Sequence, residues 1–220
     1  MSCILDITTG AQPFDASAVT SLKQHDHEGR PMKDNLSDIE MVVFDVFGTL
    51  LEISDRRNPF AYVKREMVPE KATRFRRLAM TTTMTLIEID AELPSGMTSA
   101  DLERVQTEIA REVAATRLRP GVARMLADLP VFYALCSNLS VDYVAALSAC
   151  QEIKPEFRIL SCHVGCMKPD PEIYDLVIKA AGVPADRILF TGDTQSADIE
   201  GPRLMGMHSM HIDQFMNSFS

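Results

Sequence analysis

The sequence contains no long hydrophobic segment. Its 220 residues include no run of about 18 apolar side chains, so we expect no membrane-spanning helix. Residues 1–30 lack a basic stretch followed by an apolar one, and we therefore expect no signal peptide. The five cysteines are odd in number and scattered. This pattern favours buried thiols in a reducing cytoplasm over a disulfide framework.

The chain also lacks an excess of positive charge. Its 22 Lys and Arg residues stand against 31 Asp and Glu residues, a formal net charge of −9. Such a protein repels nucleic acid and anionic membrane surfaces, and we expect neither as a partner. A small anionic substrate would need a local group of side chains or backbone amides that binds its negative charge. The hydrophobic fraction of 46% and the charged fraction of 24% are typical of a globular protein and exclude wholesale disorder.

Short apolar segments recur along the chain. Met41 to Phe44 is fully apolar and is followed by Asp45, and similar segments lie at 131–136, 157–162, 188–191 and 208–212. Short apolar runs of this kind are typical of strands buried on both faces. Helical patterns separate them at 121–129, at 140–149 and after Asp170-Pro171. The alternation predicts an α/β fold with a doubly wound parallel sheet and right-handed crossovers.

One interval interrupts this alternation. Residues 58–117 carry only helical patterns: a helix starting at Asn58-Pro59, a break at Pro69, a second helix over 71–89, and a capping box at Thr98 to Asp101 that opens another. We therefore predict a core made of residues 39–57 and 118–220, with a helical insertion at 58–117. Residues 1–38 are interpreted as a mobile or loosely docked N-terminal extension.

Reactive side chains follow the predicted strands, at the edge where open α/β sheets bind ligands. Each of them has an ordinary alternative explanation as a turn or helix cap. Together they supply three carboxylates, a hydroxyl and an ammonium group, which suit a divalent cation, an anion and a nucleophilic reaction. The residues are Asp45, Ser137, Asn138, Lys168, Asp193 and Asp198.

These residues lie in four segments that resemble the motifs of the haloacid dehalogenase (HAD) superfamily of hydrolases. The segments occur in the family's order within residues 39–212, and the insertion falls where the family has a helical cap, here of the C1 type. The resemblance implies a Rossmann-like core with an inserted cap. The four segments are Asp45-Val46-Phe47-Gly48-Thr49-Leu50, Leu135-Cys136-Ser137-Asn138, Met167-Lys168-Pro169-Asp170 and Gly192-Asp193-Thr194-Gln195-Ser196-Ala197-Asp198.

The resemblance also implies roles for individual residues. Asp45 is the expected nucleophile, and Ser137 and Lys168 are expected to orient and neutralise it. An oxyanion is expected to bind Ser137 and the backbone N–H groups of residues 46–49 and 138, which makes Gly48, Thr49 and Asn138 substrate-binding candidates. The expected cofactor is Mg²⁺. Its expected ligands are Asp45, the backbone carbonyl of Phe47, Asp193, and Asp198 directly or through water.

Phe47 departs from the family's phosphatase pattern. Phosphatases of this family carry a second aspartate there as general acid, whereas its dehalogenases carry an aromatic residue and need no metal. The acidic fourth segment, in contrast, favours a magnesium enzyme, because clustered carboxylates repel one another without a cation. We interpret the chain as a phosphatase for a small phosphorylated metabolite, acting through an aspartyl-phosphate on Asp45. A 2-haloacid dehalogenase-like hydrolase and a weakly active or purely binding member are the alternatives.

The predicted cap begins with a basic segment. Between Arg56 and Arg77, eight basic residues stand against two acidic ones, a local balance of +6. Most of these side chains are expected on a solvated helix face. One or two could clamp an anion above Asp45, as a cap arginine does in the family's dehalogenases. The candidates are Arg74, Arg76 and Arg77, and spacing does not choose among them. The oligomeric state, monomer or homodimer, stays open.

Overall fold

A five-stranded parallel sheet forms the centre of the fold. The computed structural model describes residues 36–65 and 67–219, so most of the proposed N-terminal extension lies outside the described residues. The strand order is β5-β4-β1-β6-β7, and every pairing in this sheet is parallel. The strands are β1 (Met41–Phe44), β2 (Leu51–Ile53), β3 (Thr116–Leu118), β4 (Phe132–Ser137), β5 (Arg158–Leu160), β6 (Ile188–Gly192) and β7 (His208–His211).

Helices cover both faces of this sheet, which confirms the doubly wound α/β class. Among the described residues the α-helices are α1 (Pro59–Arg65), α2 (Pro69–Thr81), α3 (Leu86–Glu92), α4 (Ser99–Ala114), α5 (Val122–Ala127), α6 (Val144–Ala149), α7 (Ser161–Val164), α8 (Pro171–Ala181), α9 (Gly201–Leu204) and α10 (Ile212–Asn217). None of them is both long and apolar enough to span a membrane.

The central strand β1 explains why the sequence shows a continuous apolar run. All four of its side chains are buried. Val42 and Phe44 pack into one apolar cluster, and Met41 and Val43 pack into another. Successive side chains of a strand point to opposite faces, so a strand between two helical layers must be apolar at every position. Asp45 directly follows this strand and therefore lies at the carboxyl edge of the sheet.

Helices α1 to α4 form the insertion between β2 and β3. Their buried side chains, including Val63, Phe75, Ile89 and Val105, belong to the same apolar cluster as Phe44. The capping box predicted at Thr98 is confirmed, because its hydroxyl accepts from the N–H of Asp101 while the Asp101 carboxylate accepts from the N–H of Thr98. The insertion thus packs on one layer of the core.

The structure corrects the secondary structure of the insertion at two places. Strand β3 begins at Thr116, inside the interval interpreted as purely helical, and pairs antiparallel with β2. Three-residue strands are too short to show a period, so only the tertiary contact reveals them. The helix expected over 71–89 is interrupted between α2 and α3. Thr85 caps α3 in a capping box with Glu88, a signal that the sequence contained.

A third correction concerns the strand expected over 157–162. Strand β5 ends at Leu160, and Ser161 starts the short helix α7. The Ser161 hydroxyl accepts a hydrogen bond from the N–H of Leu139 at 2.9 Å. This contact ties α7 to the loop that follows Ser137 at the end of β4 and that begins with Asn138.

Candidate active site

The carboxyl ends of three neighbouring strands bring the predicted site residues together. Asp45 follows β1, Ser137 ends β4, and Asp193 follows β6. Because β1 lies between β4 and β6, these three positions meet at the centre of the sheet edge. Lys168 comes from the loop between α7 and α8, and Asp198 comes from a π-helical turn spanning Gln195–Glu200.

The Asp45 carboxylate is buried and oriented by two donors. It is 7% exposed. Its Oδ1 accepts from the Lys168 ammonium at 2.9 Å and from the Ser137 hydroxyl at 3.0 Å. Its Oδ2 contacts the Thr49 hydroxyl at 3.5 Å. Burial raises the pKa of Asp45, and the positive charge of Lys168 opposes that rise. The ionised form of this carboxylate therefore depends on Lys168.

Lys168 uses all three of its ammonium protons inside the protein. It is 2% exposed and donates to Asp45 Oδ1, to Asp198 Oδ1 at 2.6 Å and to the carbonyl of Cys136 at 2.8 Å. Burial alone lowers the pKa of Lys168, but the charges of Asp45 and Asp198 outweigh burial and raise it. Lys168 is thus a fixed positive charge with no proton left for a substrate unless one of these bonds breaks.

Three carboxylates converge beside this ammonium group. Carboxylate oxygens of Asp45, Asp193 and Asp198, here called the acidic trio, all lie within 4.8 Å of one another. Asp198 is buried, and its Oδ2 accepts from the N–H of Thr194 at 2.9 Å, whereas Asp193 is exposed. With Lys168 included, three negative charges and one positive charge leave a net charge of −2. One divalent cation would balance it.

The turn after Asp45 approaches the trio closely. Gly48 has a left-handed φ of +90°, and a Cβ there would lie 2.2 Å from Asp193 Oδ2. Only glycine fits both constraints. The N–H of Gly48 donates to the carbonyl of Leu51 at 2.8 Å, and the N–H of Thr49 donates to the carbonyl of Val46 at 3.3 Å. These two amides are engaged within the turn, which differs from their expected role as ligands of an oxyanion.

Asn138 holds the Lys168 loop in place. Its side-chain amide donates to the carbonyl of Lys168 at 2.7 Å and accepts from the N–H of Lys168 at 2.8 Å. The Asn138 side chain is therefore paired with protein backbone, and the substrate-binding role expected of the Asn138 backbone N–H stays a prediction. Together with Ser161, which sequence reasoning missed, it fixes the backbone that presents Ser137 and Lys168.

Aromatic rings surround the position where the family's phosphatases have their acid. The half-buried Phe47 ring lies edge-to-face against Tyr143, with centroids 5.9 Å apart. Tyr143 in turn lies 6.1 Å from Phe60 of α1. Phe47 therefore contributes apolar surface to a small aromatic group shared by the core and the insertion.

The three arginines expected to clamp an anion all lie on one helix of the insertion. Arg74, Arg76 and Arg77 are all exposed on α2. Arg77 forms an ion pair with Asp170 at 3.0 Å, which joins α2 to the start of α8. A cation that sequence reasoning missed is Arg119. Its guanidinium contacts the carbonyl of Gly48 at 3.5 Å and the carboxylate of Asp213.

Comparison with protein families gives a match over most of this chain. A family model described as haloacid dehalogenase-like hydrolase matches residues 39–206. The chain belongs to this family of hydrolases. The expected family, enzyme class and Rossmann-like α/β core are thereby confirmed for this HAD-like hydrolase, which shares the core with solved enzymes of the family.

Individual relatives of this HAD-like hydrolase differ in their chemistry. A phosphoserine phosphatase from Thermus thermophilus is 32% identical over 56 residues, which are 26% of this chain and 22% of that protein. A HAD family enzyme from Bacteroides thetaiotaomicron, solved with magnesium and inorganic phosphate, has 17% identity and a TM-score of 0.57 over 79% of this chain and 93% of its own. A 2-haloacid dehalogenase from Pseudomonas syringae has 18% identity and a TM-score of 0.53 over 78% and 85%. These structural likenesses establish the fold.

Proposed function

We propose that this HAD-like hydrolase is a Mg²⁺-dependent phosphatase for a small phosphorylated metabolite, with Asp45 as its nucleophile. The acidic trio carries the proposal. Three carboxylates within 4.8 Å and one ammonium group leave an excess of two negative charges. This arrangement suits a divalent cation and is unfavourable for an anionic substrate without one. The Thermus relative is named as a phosphatase, and the Bacteroides neighbour was solved with magnesium and phosphate, which agrees with the proposal.

The donor set fits Mg²⁺. Hard oxygen ligands are the ones that this ion prefers, and it commonly takes one or two carboxylates while retaining several waters. Asp45 Oδ2 and Asp193 Oδ1 make only long contacts with protein hydroxyls, at 3.5 and 3.3 Å, so these two carboxylates are the proposed direct ligands, with Asp198 and the Phe47 carbonyl completing the set. When bound, the ion would neutralise the trio and polarise a phosphoryl group.

The chain's own residues prepare the nucleophile. Lys168 and Ser137 hold Asp45 Oδ1 in one orientation, and the positive charge of Lys168 opposes the rise that burial causes in the pKa of Asp45. In the proposed reaction, Asp45 attacks phosphorus, the bond to the leaving oxygen breaks, and water then hydrolyses the aspartyl-phosphate to release inorganic phosphate. Ser137 and the backbone N–H groups of Val46, Phe47 and Asn138 are proposed to hold the phosphoryl oxygens. Residues 58–117 are proposed to act as a cap that excludes bulk water.

Phe47 restricts the leaving groups that such an enzyme can use. A phenyl ring cannot give a proton to a departing alkoxide, and general acid catalysis is worth about 10²–10⁴-fold. Acyl and aryl phosphates need little protonation because their leaving groups are stable anions. We therefore propose an acyl or activated phosphate ester as the substrate class.

A substrate panel tests this proposal. Acetyl phosphate, p-nitrophenyl phosphate and an alkyl phosphate are each assayed with Mg²⁺ and with excess chelator. We expect turnover of the first two, dependence on Mg²⁺, and loss of turnover in Asp45→Asn. Equal turnover with chelator would contradict the proposed metal role. Activity of Asp45→Asn equal to the native protein would contradict the nucleophile.

A 2-haloacid dehalogenase is the second candidate, and Phe47 favours it. In that reaction Asp45 attacks carbon and halide leaves without a proton, so no acid is needed at position 47. The net charge of −2 opposes a carboxylate substrate unless an arginine of the insertion moves towards Asp45. Release of halide from 2-chloropropionate in the presence of chelator would establish this candidate in place of the phosphatase.

A further inference from the structure

A buried carboxylate of the insertion lies at the junction of three segments. Glu112, in the last turn of α4, is 2% exposed. Its Oε1 accepts from the N–H of Arg57 and from the N–H of Asn58 at 2.7 Å, and its Oε2 accepts from the Tyr143 hydroxyl at 2.5 Å. A buried carboxylate is costly without such donors, because it loses its hydration. Three donors to one buried side chain therefore indicate a specific contact, and we call Glu112 with Arg57, Asn58 and Tyr143 the Glu112 joint.

The partners of Glu112 belong to different parts of the fold. Arg57 and Asn58 lie in the segment that leaves the core after β2, and Glu112 lies just before β3, which returns to the core. Tyr143 belongs to the core, in the loop that follows β4 and Ser137. The bonds from Arg57 and Asn58 tie the chain where it enters the insertion to the chain where it leaves the insertion, whereas the bond from Tyr143 comes from the loop after β4 in the core.

Tyr143 connects this joint to the candidate active site. Burial, and then the hydrogen bond to Glu112, raise the pKa of the Tyr143 phenol, so it stays protonated and continues to donate. Its ring lies edge-to-face against Phe47, two residues after Asp45, and also contacts Phe60. A change in the orientation of Tyr143 would therefore move the aromatic surface beside the nucleophile.

We propose that Glu112 is a positioning residue that, through Tyr143, holds the insertion against the core and sets the Phe47 ring beside Asp45. This inference rests on the proposed phosphatase function for its kinetic consequence. The joint favours the closed arrangement in which substrate binds. A protein that is closed only part of the time binds substrate more weakly by that fraction. Loss of the joint should raise KM while kcat at saturation stays close to the native value.

The test uses the full chain with four variants. Tyr143→Phe removes the bond that crosses from core to insertion and keeps the ring. Glu112→Leu keeps a side chain of similar length but removes both acceptor oxygens, so that neither the backbone amides nor the phenol keeps its partner. The double variant measures coupling. Tyr133→Phe is the matched control, because it also removes a tyrosine hydroxyl, but one that accepts from the N–H of Lys154 in the core and contacts no residue of the insertion by that bond.

The kinetic readout is the division of the effect between KM and kcat for p-nitrophenyl phosphate with Mg²⁺. We expect both single variants to raise KM by about ten- to a hundredfold, the factor typical of losing a hydrogen bond to a charged group. The double variant should be no worse than the worse single variant. A KM in Tyr143→Phe equal to that of Tyr133→Phe, or effects that simply multiply in the double variant, would overturn the proposal.

Hydrogen exchange gives a readout that needs no activity. Glu112→Leu, which has no acceptor, should speed exchange at the amides of Arg57 and Asn58. Tyr143→Phe should speed exchange in both connecting segments, 54–58 and 115–118, relative to Tyr133→Phe. Unchanged exchange in Tyr143→Phe refutes the joint. A native chain that turns over no phosphate or haloacid refutes the proposed function instead, so the two failures are distinguishable.

Discussion

Replacing Asp193 by Asn should raise the free energy of unfolding of the metal-free protein. In the presence of Mg²⁺ the same substitution should lower it, each time relative to the native chain. Asp193 is the exposed member of the acidic trio, and its Oδ1 contacts the Thr194 hydroxyl at 3.3 Å, a contact that the amide oxygen of asparagine can keep. The substitution therefore removes a charge and changes little else. Its effect on the unfolding free energy should have opposite signs in chelator and in Mg²⁺.

The size of the first effect follows from the geometry of the trio. Two unit charges 4.8 Å apart repel by about 1 kcal/mol in water and by roughly 3.5 kcal/mol at an effective dielectric of about 20. The lower value applies because Asp193 is exposed, and Lys168 offsets one of the two repulsive pairs. Asp193→Asn should thus gain about 1 kcal/mol in chelator, which corresponds to a rise in Tm of roughly 2–4 °C.

The second effect is larger. A ligand present at about 100 times its Kd stabilises the native state by about 2.7 kcal/mol, which raises Tm by roughly 5–11 °C. The native protein should show this rise with Mg²⁺, and Asp193→Asn should lose most of it. Thermal unfolding followed by circular dichroism measures both effects, with Glu200→Gln as a control because Glu200 is exposed and pairs with Gln195. The reasoning is refuted if Asp193→Asn is less stable than the native chain in chelator, or if both gain equally from Mg²⁺.

Three further substitutions probe the site. Phe47→Asp should raise kcat/KM for an alkyl phosphate relative to p-nitrophenyl phosphate, by up to about 10²–10⁴-fold, and an unchanged ratio would contradict the proposed absence of an acid. Lys168→Met should cost about 3–5 kcal/mol in urea unfolding, because it leaves buried carboxylates unpaired. Folding raises the pKa of Lys168 above its ordinary value of 10.5. The native protein should therefore keep its full advantage in unfolding free energy over Lys168→Met near neutral pH, and this advantage should shrink as the pH rises above 10.5. Gly48→Ala should abolish the Mg²⁺-dependent rise in Tm, because its Cβ would lie 2.2 Å from Asp193 Oδ2; a retained rise would count against the proposed metal ligand.

Most of the residues at the carboxyl edge of the sheet could be predicted, because the ends of buried strands can be recognised in the sequence. The run from Met41 to Phe44 is apolar at every position, so it identifies a central strand, and the residue after it must lie at the carboxyl edge. The same argument places Ser137 and Asp193 correctly. The contacts of Ser137 and Lys168 with Asp45, and the approach of Asp193 to Asp45 and Asp198, are now distances, but the catalytic and metal-binding roles stay proposals.

The contacts between the insertion and the core could not be predicted from local pattern. Arg77 was one of three equal candidates for an anion clamp, and it pairs with Asp170. Which side a surface arginine faces depends on how two elements pack, not on its own helix. Glu112 did leave a signal, since a carboxylate three residues after Ile109 interrupts the apolar stripe of α4. A buried charge on such a stripe needs partners, and these come from distant segments.

The sequence by itself determined the family, the α/β class and the residue types at the sheet edge, because hydrophobic periodicity and short motifs are local properties of the chain. Tertiary structure alone decided which donors hold Asp45 Oδ1, that all three protons of Lys168 are used, and that Asn138 binds backbone. It also decided that Glu112 joins the insertion to the core. Hydrogen-bond partners and burial depend on contacts between residues far apart in the chain, and those contacts exist only after folding.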